Sequence, residues 1–201
     1  MIKIIFVFLL AFVSGCSSSP HDYIEYLSQK GVTQLSPSTF NHCRGYGCRI
    51  VDSNLSLDNQ DWEEIKNLFT PQAQSASEER EKIAHAIGRF ESIIGPLTGT
   101  ENDIKGTYHR LGDDQHDCVD ESINTTIYLS MLEQSDLIRF HNIGTPSSRL
   151  PLIARGLGPH QSAVIIEKDT GDRFAVDSWF HNNGHKAEIV SMNKWFFGWR
   201  P

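Results

Sequence analysis

Between His160 and Val190 the chain leaves itself room for one kind of structure. The runs His160-Gln161-Ser162-Ala163-Val164-Ile165-Ile166-Glu167 and Phe174-Ala175-Val176-Asp177 are apolar and rich in β-branched residues, and the turn signal Asp169-Thr170-Gly171-Asp172 lies between them. So short a connection predicts an antiparallel hairpin. Asn182-Asn183-Gly184 makes another turn before a third strand, Ala187-Glu188-Ile189-Val190, and Ser191 is placed to cap a last short helix through Trp195 and Phe196. Upstream, Asp117 is an N-cap for a helix from Cys118 to about Glu133, with Ile123, Ile127 and Met131 spaced toward one face. Leu137 to His141 alternates like a strand, and Thr145 to Gly158 reads as loop. A helix followed by an antiparallel meander is an α+β arrangement.

The earlier part of the chain reads as helices and loops. Asp22 to Gln29 is a short helix, followed by a loop at Gly31 and Pro37; Cys48 to Val51 is a short strand. Ser56-Leu57-Asp58-Asn59 supplies N-caps for a helix from Gln60 to Phe69, ended by Pro71. Ser75-Ala76-Ser77-Glu78 matches a capping box; the helix after it spaces Ile83, Ile87, Phe90 and Ile94 on one face, and Gly95-Pro96 stops it. Its charged run, Glu78 to Lys82, reads as a solvated face. From Leu97 to Gln115 a polar loop punctuated by Gly99, Gly106 and Gly112 leads into Cys118, as an active-site approach would.

The N-terminus carries an address. Met1-Ile2-Lys3 precedes an apolar run from Ile4 to Val13, short for a membrane span and suited to a signal peptide. Val13-Ser14-Gly15-Cys16 resembles the lipobox of bacterial lipoproteins, which implies cleavage before Cys16, a lipid on that cysteine and, with Ser17 following, the outer membrane facing the periplasm. Residues 1–15 are thus expected to be removed, 16–40 to form a tether and N-terminal segment, and 41–201 to form a single domain. Without residues 1–15 one lysine is lost and no acid, so the charge becomes 17 − 25 = −8. That argues against nucleic acid as a partner, which draws on clustered Lys and Arg. In an exported protein Cys43 and Cys48, separated by Arg44-Gly45-Tyr46-Gly47, are expected to pair as a disulfide. Cys118 is left over, either buried or in use.

Use is the sharper reading. A cysteine in the first turn of a helix meets N–H groups that favour its thiolate. His160 is a base for its proton, and Asp177 an orienter for His160. A turn centred on Thr170-Gly171 puts His160 and Asp177 on one face but pairs Asp177 with Val164, leaving His160 about 13 Å further along at ~3.3 Å per residue. A longer turn or a bulge is needed to close that gap. The sulfur is expected within hydrogen-bond reach of one His160 nitrogen, with Asp177 on the other. Asp113, Asp114, Asp117, Asp120 and Glu121 work against a thiolate unless they point away, pair with Arg110, Arg149 or Arg155, or bind a cation such as Ca²⁺. His109 and His116 line the cleft or, with Cys118, hold zinc; no Cys-x-x-Cys or His-Glu-x-x-His pattern supports zinc, and no metal-ligand set is assigned. His181 and His185 flank a turn and are expected in solvent. Trp179, Trp195 and Trp199 are packing residues, Trp179 alternatively the wall of a substrate groove.

Asp117-Cys118 opening a helix, His160 opening a strand and Val176-Asp177 ending the next resemble the transglutaminase-like cysteine peptidase superfamily. Within it the chain is most similar to the bacterial transglutaminase-like cysteine proteases of the periplasm. The resemblance covers roughly residues 105–190; the N-terminal third departs from it. It implies a papain-like core, the cysteine-bearing helix packed on an antiparallel sheet, with Cys118 as nucleophile, His160 as base and Asp177 as orienter. Gln115, His116 and the Cys118 backbone N–H are then the oxyanion-hole candidates. The implied activity is hydrolysis or acyl transfer at amide bonds of a protein or peptidoglycan-peptide substrate. Two other readings stay open. One is a cell-wall peptidase of the NlpC type, which usually shows Ser-Gly where Val119-Asp120 follows Asp117-Cys118 here. The other is a non-catalytic lipoprotein that uses the fold as a binding or assembly module.

The address can be tested directly. Mass spectrometry of membrane-extracted protein should find a lipidated Cys16 at the N-terminus; an unmodified N-terminus on protein free in the periplasm would contradict it.

Overall fold

The computed structural model describes residues 22–108, 111–149 and 158–201. The signal run, Cys16 and the serine tether lie outside these, as do His109, Arg110 and Arg155. In chain order the elements are α1 (Asp22–Gln29), β1 (Leu35–Ser36), β2 (Thr39–Arg44), β3 (Ile50–Leu55), α2 (Asn59–Asn67), α3 (Ala76–Thr98), α4 (Cys118–Gln134), β4 (His141–Arg149), β5 (His160–Glu167), β6 (Arg173–Asp177), β7 (Glu188–Ser191) and α5 (Met192–Phe196). β1-β2-β3 make one antiparallel sheet and β4-β5-β6-β7 a second, each in sequential order. The architecture is α+β, with α4 between the sheets. Among the described residues no helix is long and apolar enough to cross a membrane.

α4 has almost no solvent face: 14 of its 17 residues are buried, polar ones included. Ile123, Ile127, Leu129, Met131 and Leu132 fill the main core with Ile83, Ile87, Phe90 and Ile94 of α3, and Phe90 stacks on Tyr128 at 4.8 Å. Each buried polar residue of such a helix needs a partner. Asn124 finds one in the backbone of β2, its Oδ1 accepting from Cys43 N–H at 2.7 Å and its Nδ2 donating to Cys43 O at 2.8 Å. Thr126 and Ser130 bond back to carbonyls of their own helix. α1 matches its expected limits. Tyr23, Leu27 and Val32 belong to the same core as α4.

Several elements differ from the sequence reading. α3 does not stop at Gly95-Pro96. It runs to Thr98 and closes on Gly99, whose φ of 74° suits a left-handed cap. Gly95 is there for packing, since a Cβ would sit 2.9 Å from Glu101 Cα; Gly88 likewise meets His185 O at 2.6 Å. The Ser75 cap forms, its Oγ accepting from Glu78 N–H, but Glu78 reaches back to Gln74 N–H rather than to Ser75. At the other end of the chain Ser191 occupies the N-cap position of α5 without making a side-chain bond.

The charged run that opens α3 is not a solvated face. Glu79 is 1% exposed and accepts from the backbone N–H groups of Arg139, Phe140 and His141 and bonds His141 Nδ1 at 2.8 Å. Arg80 pairs with Glu167 and lies over the Phe174 ring. This explains a second difference: Leu137 to Phe140 forms no strand, because Leu137 N–H closes onto Leu132 O and the N–H groups of Arg139 and Phe140 turn to Glu79. β4 starts at His141 and runs into the stretch read as loop as far as Arg149, with a register shift between Gly144 and Ser147 that accommodates Pro146. The two-stranded start of the first sheet, β1 with β2, was not expected.

Glu79 sets a testable energy. Burial alone would raise its carboxyl, yet the bonds from His141, Arg139 and Phe140 hold it below the usual carboxylate range. Glu79→Ala should cost about 3 kcal/mol in urea unfolding at pH 7, leaving the three backbone N–H groups and His141 Nδ1 unpaired. A group with a depressed folded pKa stabilises above its unfolded value of ~4.3 and loses that contribution as pH falls through the folded value. The gap between wild type and variant should therefore close below about pH 4; a pH-independent gap contradicts the assignment.

Candidate functional site

β5 and β6 pair Ala163 with Val176 and Ile165 with Phe174, and Glu167 N–H closes the turn onto Asp172 O at 2.8 Å. The register differs by two residues from a turn centred on Thr170-Gly171, and this longer loop closes the gap foreseen from the sequence. Continued along the ladder, Asp177 falls opposite Ser162, so His160 is its diagonal neighbour on the same face. His160 Nε2 meets Asp177 Oδ2 at 2.7 Å with both side chains 1% exposed. A carboxylate oxygen only accepts, so Nε2 carries a ring proton and donates it to Asp177. His160 Nδ1 is buried and has no hydrogen-bond partner.

Cys118 opens α4 and is the free cysteine of the described residues. It lines a cleft of ≈ 340 Å³ with His160, Tyr108, Val119, Arg149 and Pro159 among its neighbours. The backbone N–H groups of Gln161 and of Cys118 itself favour its charged form. The thiol makes no bond to His160 Nδ1, contrary to expectation. Burial, with the Asp117 and Asp177 charges adding to it, pushes the thiol up to about 12 against those two N–H groups. The site therefore holds a neutral thiol beside an imidazole oriented by Asp177.

The acids around Cys118 are mostly engaged elsewhere. Asp117 caps α4, accepting from Val119 and Asp120 N–H, and receives Gly47 N–H at 3.0 Å. Asp120 accepts from Tyr46, Cys48 and Asp117 N–H at 2.7, 2.6 and 3.1 Å. The loop donating those bonds is the one closed by the Cys43–Cys48 pair, whose sulfurs are at bonding distance. Asp113 pairs with Arg49 instead of Arg149. Gln115 and His116 point away from the cleft: Gln115 holds the 102–104 turn through Ile104 N–H and Asn102 O. His116 lies between Asp103 and Glu121, at 3.6 and 3.4 Å from its Nδ1. Burial would depress that imidazole, but the two carboxylates hold it well above its ordinary value. Asp103, His116 and Glu121 are also the described group able to hold a metal ion, their ligand atoms lying within 4.8 Å of one another. His181 is half-buried against Glu188, while His185 is exposed.

Trp179 packs its ring 4.7 Å from His160 and anchors its Nε1–H on Thr107 O. It walls a second groove of ≈ 420 Å³, which shares Tyr108 with the thiol cleft. Two contributors escaped the sequence reading. Trp195, read as packing, donates its Nε1–H to Asp177 Oδ2 at 2.8 Å and covers His160 at 5.6 Å. Arg149, directly opposite His160 across β4 and β5, is buried at 2% exposure. Neither role follows from spacing, because both depend on the strand register and on where α5 folds back. Comparison with protein-family models, curated proteins and solved structures returned no match.

The thiol's environment predicts its pH profile. Alkylation of Cys118 by iodoacetamide, read by peptide-resolved mass spectrometry, should keep rising beyond pH 10. A plateau near the ordinary thiol value of about 8.5 would contradict it.

Proposed function

We propose that the protein is a thiol hydrolase or acyl-transferase acting on amide bonds, with a papain- or transglutaminase-like core anchored to the bacterial envelope through Cys16. One observation carries the reading: an imidazole fixed by Asp177 on one nitrogen, with its other nitrogen unpartnered, lines the same cleft as the free thiol. In the reaction Cys118 Sγ attacks the substrate carbonyl carbon while its proton passes to His160 Nδ1. The C–N bond breaks as His160 returns that proton to the leaving amine, and a thioester remains on Cys118. Water or a second amine, deprotonated by His160, then attacks the thioester and releases the acid or the new amide. Asp177 keeps the Nε2 tautomer and steadies the imidazolium, and Trp195 fixes the carboxylate. The developing oxyanion is assigned to the backbone N–H groups of Cys118 and Gln161, the two that favour the thiolate. The thiol is neutral at rest, so the proton moves with the attack and no preformed thiolate is needed.

A second reading has an observation of its own. A thiol pushed up to about 12 and unbonded to His160 suits a binding or assembly module that kept the residues without the chemistry. Acyl-enzyme trapping separates the two. With thioester- and amide-forming probes of peptide substrates, wild type should form a Cys118 adduct that turns over. Cys118→Ala should form none, His160→Ala should lose about 10³-fold or more, and Asp177→Asn should retain partial activity. A wild-type protein that neither acylates nor turns over any probe, with its thiol intact, favours the module.

A further inference from the structure

Arg149 carries more donors than the fold uses. Its Nη1 donates to the carbonyl oxygens of Trp195 and Trp199 at 2.6 and 3.1 Å, and its guanidinium lies 4.8 Å over the Trp195 ring. Nε is buried with no acceptor, and among the described residues Nη2 has none either. A guanidinium offers five N–H donors in a planar fork, and burying one without an anion is costly. No carboxylate among the described residues forms an ion pair with it. The cleft's own acid, Asp117, is turned to the backbone donors of α4 and Gly47, and Asp177 is held by His160 and Trp195. Yet Arg149 lines the thiol cleft, facing the same side of the sheet as His160. The rest of that lining is largely apolar, with Val119, Pro159 and Tyr108 contributing.

We infer that Arg149 Nη2 is an anion subsite of the thiol cleft, which takes a carboxylate of the acyl substrate. The inference deepens the proposed function and rests on it: Cys118 supplies the nucleophile, and Arg149 selects acyl groups bearing a negative charge near the reacting carbon. Nη2 carries two N–H donors that the described fold leaves over, and a charge-assisted N–H···O bond to a carboxylate uses them. A lysine at this place offers the charge without the fork.

The test compares iodoacetate with iodoacetamide, which differ in charge and little in size. Each forms an S–C bond at Cys118 as the C–I bond breaks, iodide leaving and the thiol proton passing to solvent. Carboxymethylation and carbamidomethylation of Cys118 in the full chain are read by peptide-resolved mass spectrometry. The iodoacetate-to-iodoacetamide rate ratio should be about tenfold or more higher in wild type than in Arg149→Gln, as expected for a charge-assisted bond. Arg149→Lys should fall between them. An unchanged ratio in Arg149→Gln overturns the subsite. If near-UV circular dichroism shows that variant unfolded, wild type alone decides. Sodium acetate should slow iodoacetamide alkylation more than acetamide with sodium chloride at equal ionic strength, and equal slowing overturns the proposal. The response of the iodoacetamide rate to His160→Ala reports separately on the thiol–imidazole pair, so the two readings fail independently.

Discussion

Everything in this fold is arranged around a helix that has no outside. An amphipathic helix can leave its polar side chains to water, but α4 is buried along nearly its whole length, so its polar groups depend on partners built into the protein, which Thr125 Oγ1 alone among its buried side-chain atoms lacks. Those partners are the neighbouring elements themselves. Asn124 takes both the N–H and the C=O of Cys43, which sets the height of β2 against the helix. Asp117 and Asp120 gather the backbone of the 43–48 loop, and Glu121 takes the Ser178 hydroxyl one residue past Asp177. The helix is thus pinned to the first sheet by an amide and to the loop at its start by two carboxylates, and a carboxylate–hydroxyl bond joins it to the end of β6.

The same constraint shapes the site's electrostatics. Carboxylates crowded by sequence around a thiol would keep it protonated at long range, and Asp117 does contribute to the raised thiol. Their lone pairs, however, are directed into backbone donors and away from the cleft. Beside Asp117, the cleft is lined by one guanidinium, one imidazole and the thiol, in a setting dry enough for each to matter more than it would in water. Behind them Asp103, His116, Glu121 and Glu91 form a buried acid-rich layer. Burial and the Glu121 charge push the Glu91 carboxyl well above its ordinary value.

Much of this was legible in the residues, and the reasons divide cleanly. Helix starts carry their own chemistry: Asp58, Ser75 and Asp117 cap α2, α3 and α4 where short polar side chains precede apolar periodicity. The strands around Ala163 and Val176 were legible because both faces are buried and the run is continuous. The same physics placed His160 and Asp177 on one face, although the register was off by two, since loop length is a backbone property that Asp-Thr-Gly-Asp underdetermines. β4 was missed because Gly144 and Pro146 look like breakers, and only a bulge in the ladder reveals that they are tolerated. Glu79 and Arg80 sat inside a run of charges that resembles any solvated helix start. Their burial depends on Arg139 to His141 arriving overhead from 60 residues later. Gly95 read as a stop for the same kind of reason, because the chain that presses on it lies across a loop.

Trp195 joins Asp177 across 18 residues of chain, by way of β7. A polypeptide made from its N-terminus exposes the cysteine-bearing helix first, then His160, then Asp177, and only afterwards the indole that fixes the carboxylate. Until α5 folds back, Asp177 Oδ2 lacks the indole N–H that fixes it. The thiol is therefore present in the chain well before the contact that completes the carboxylate–imidazole pair beside it.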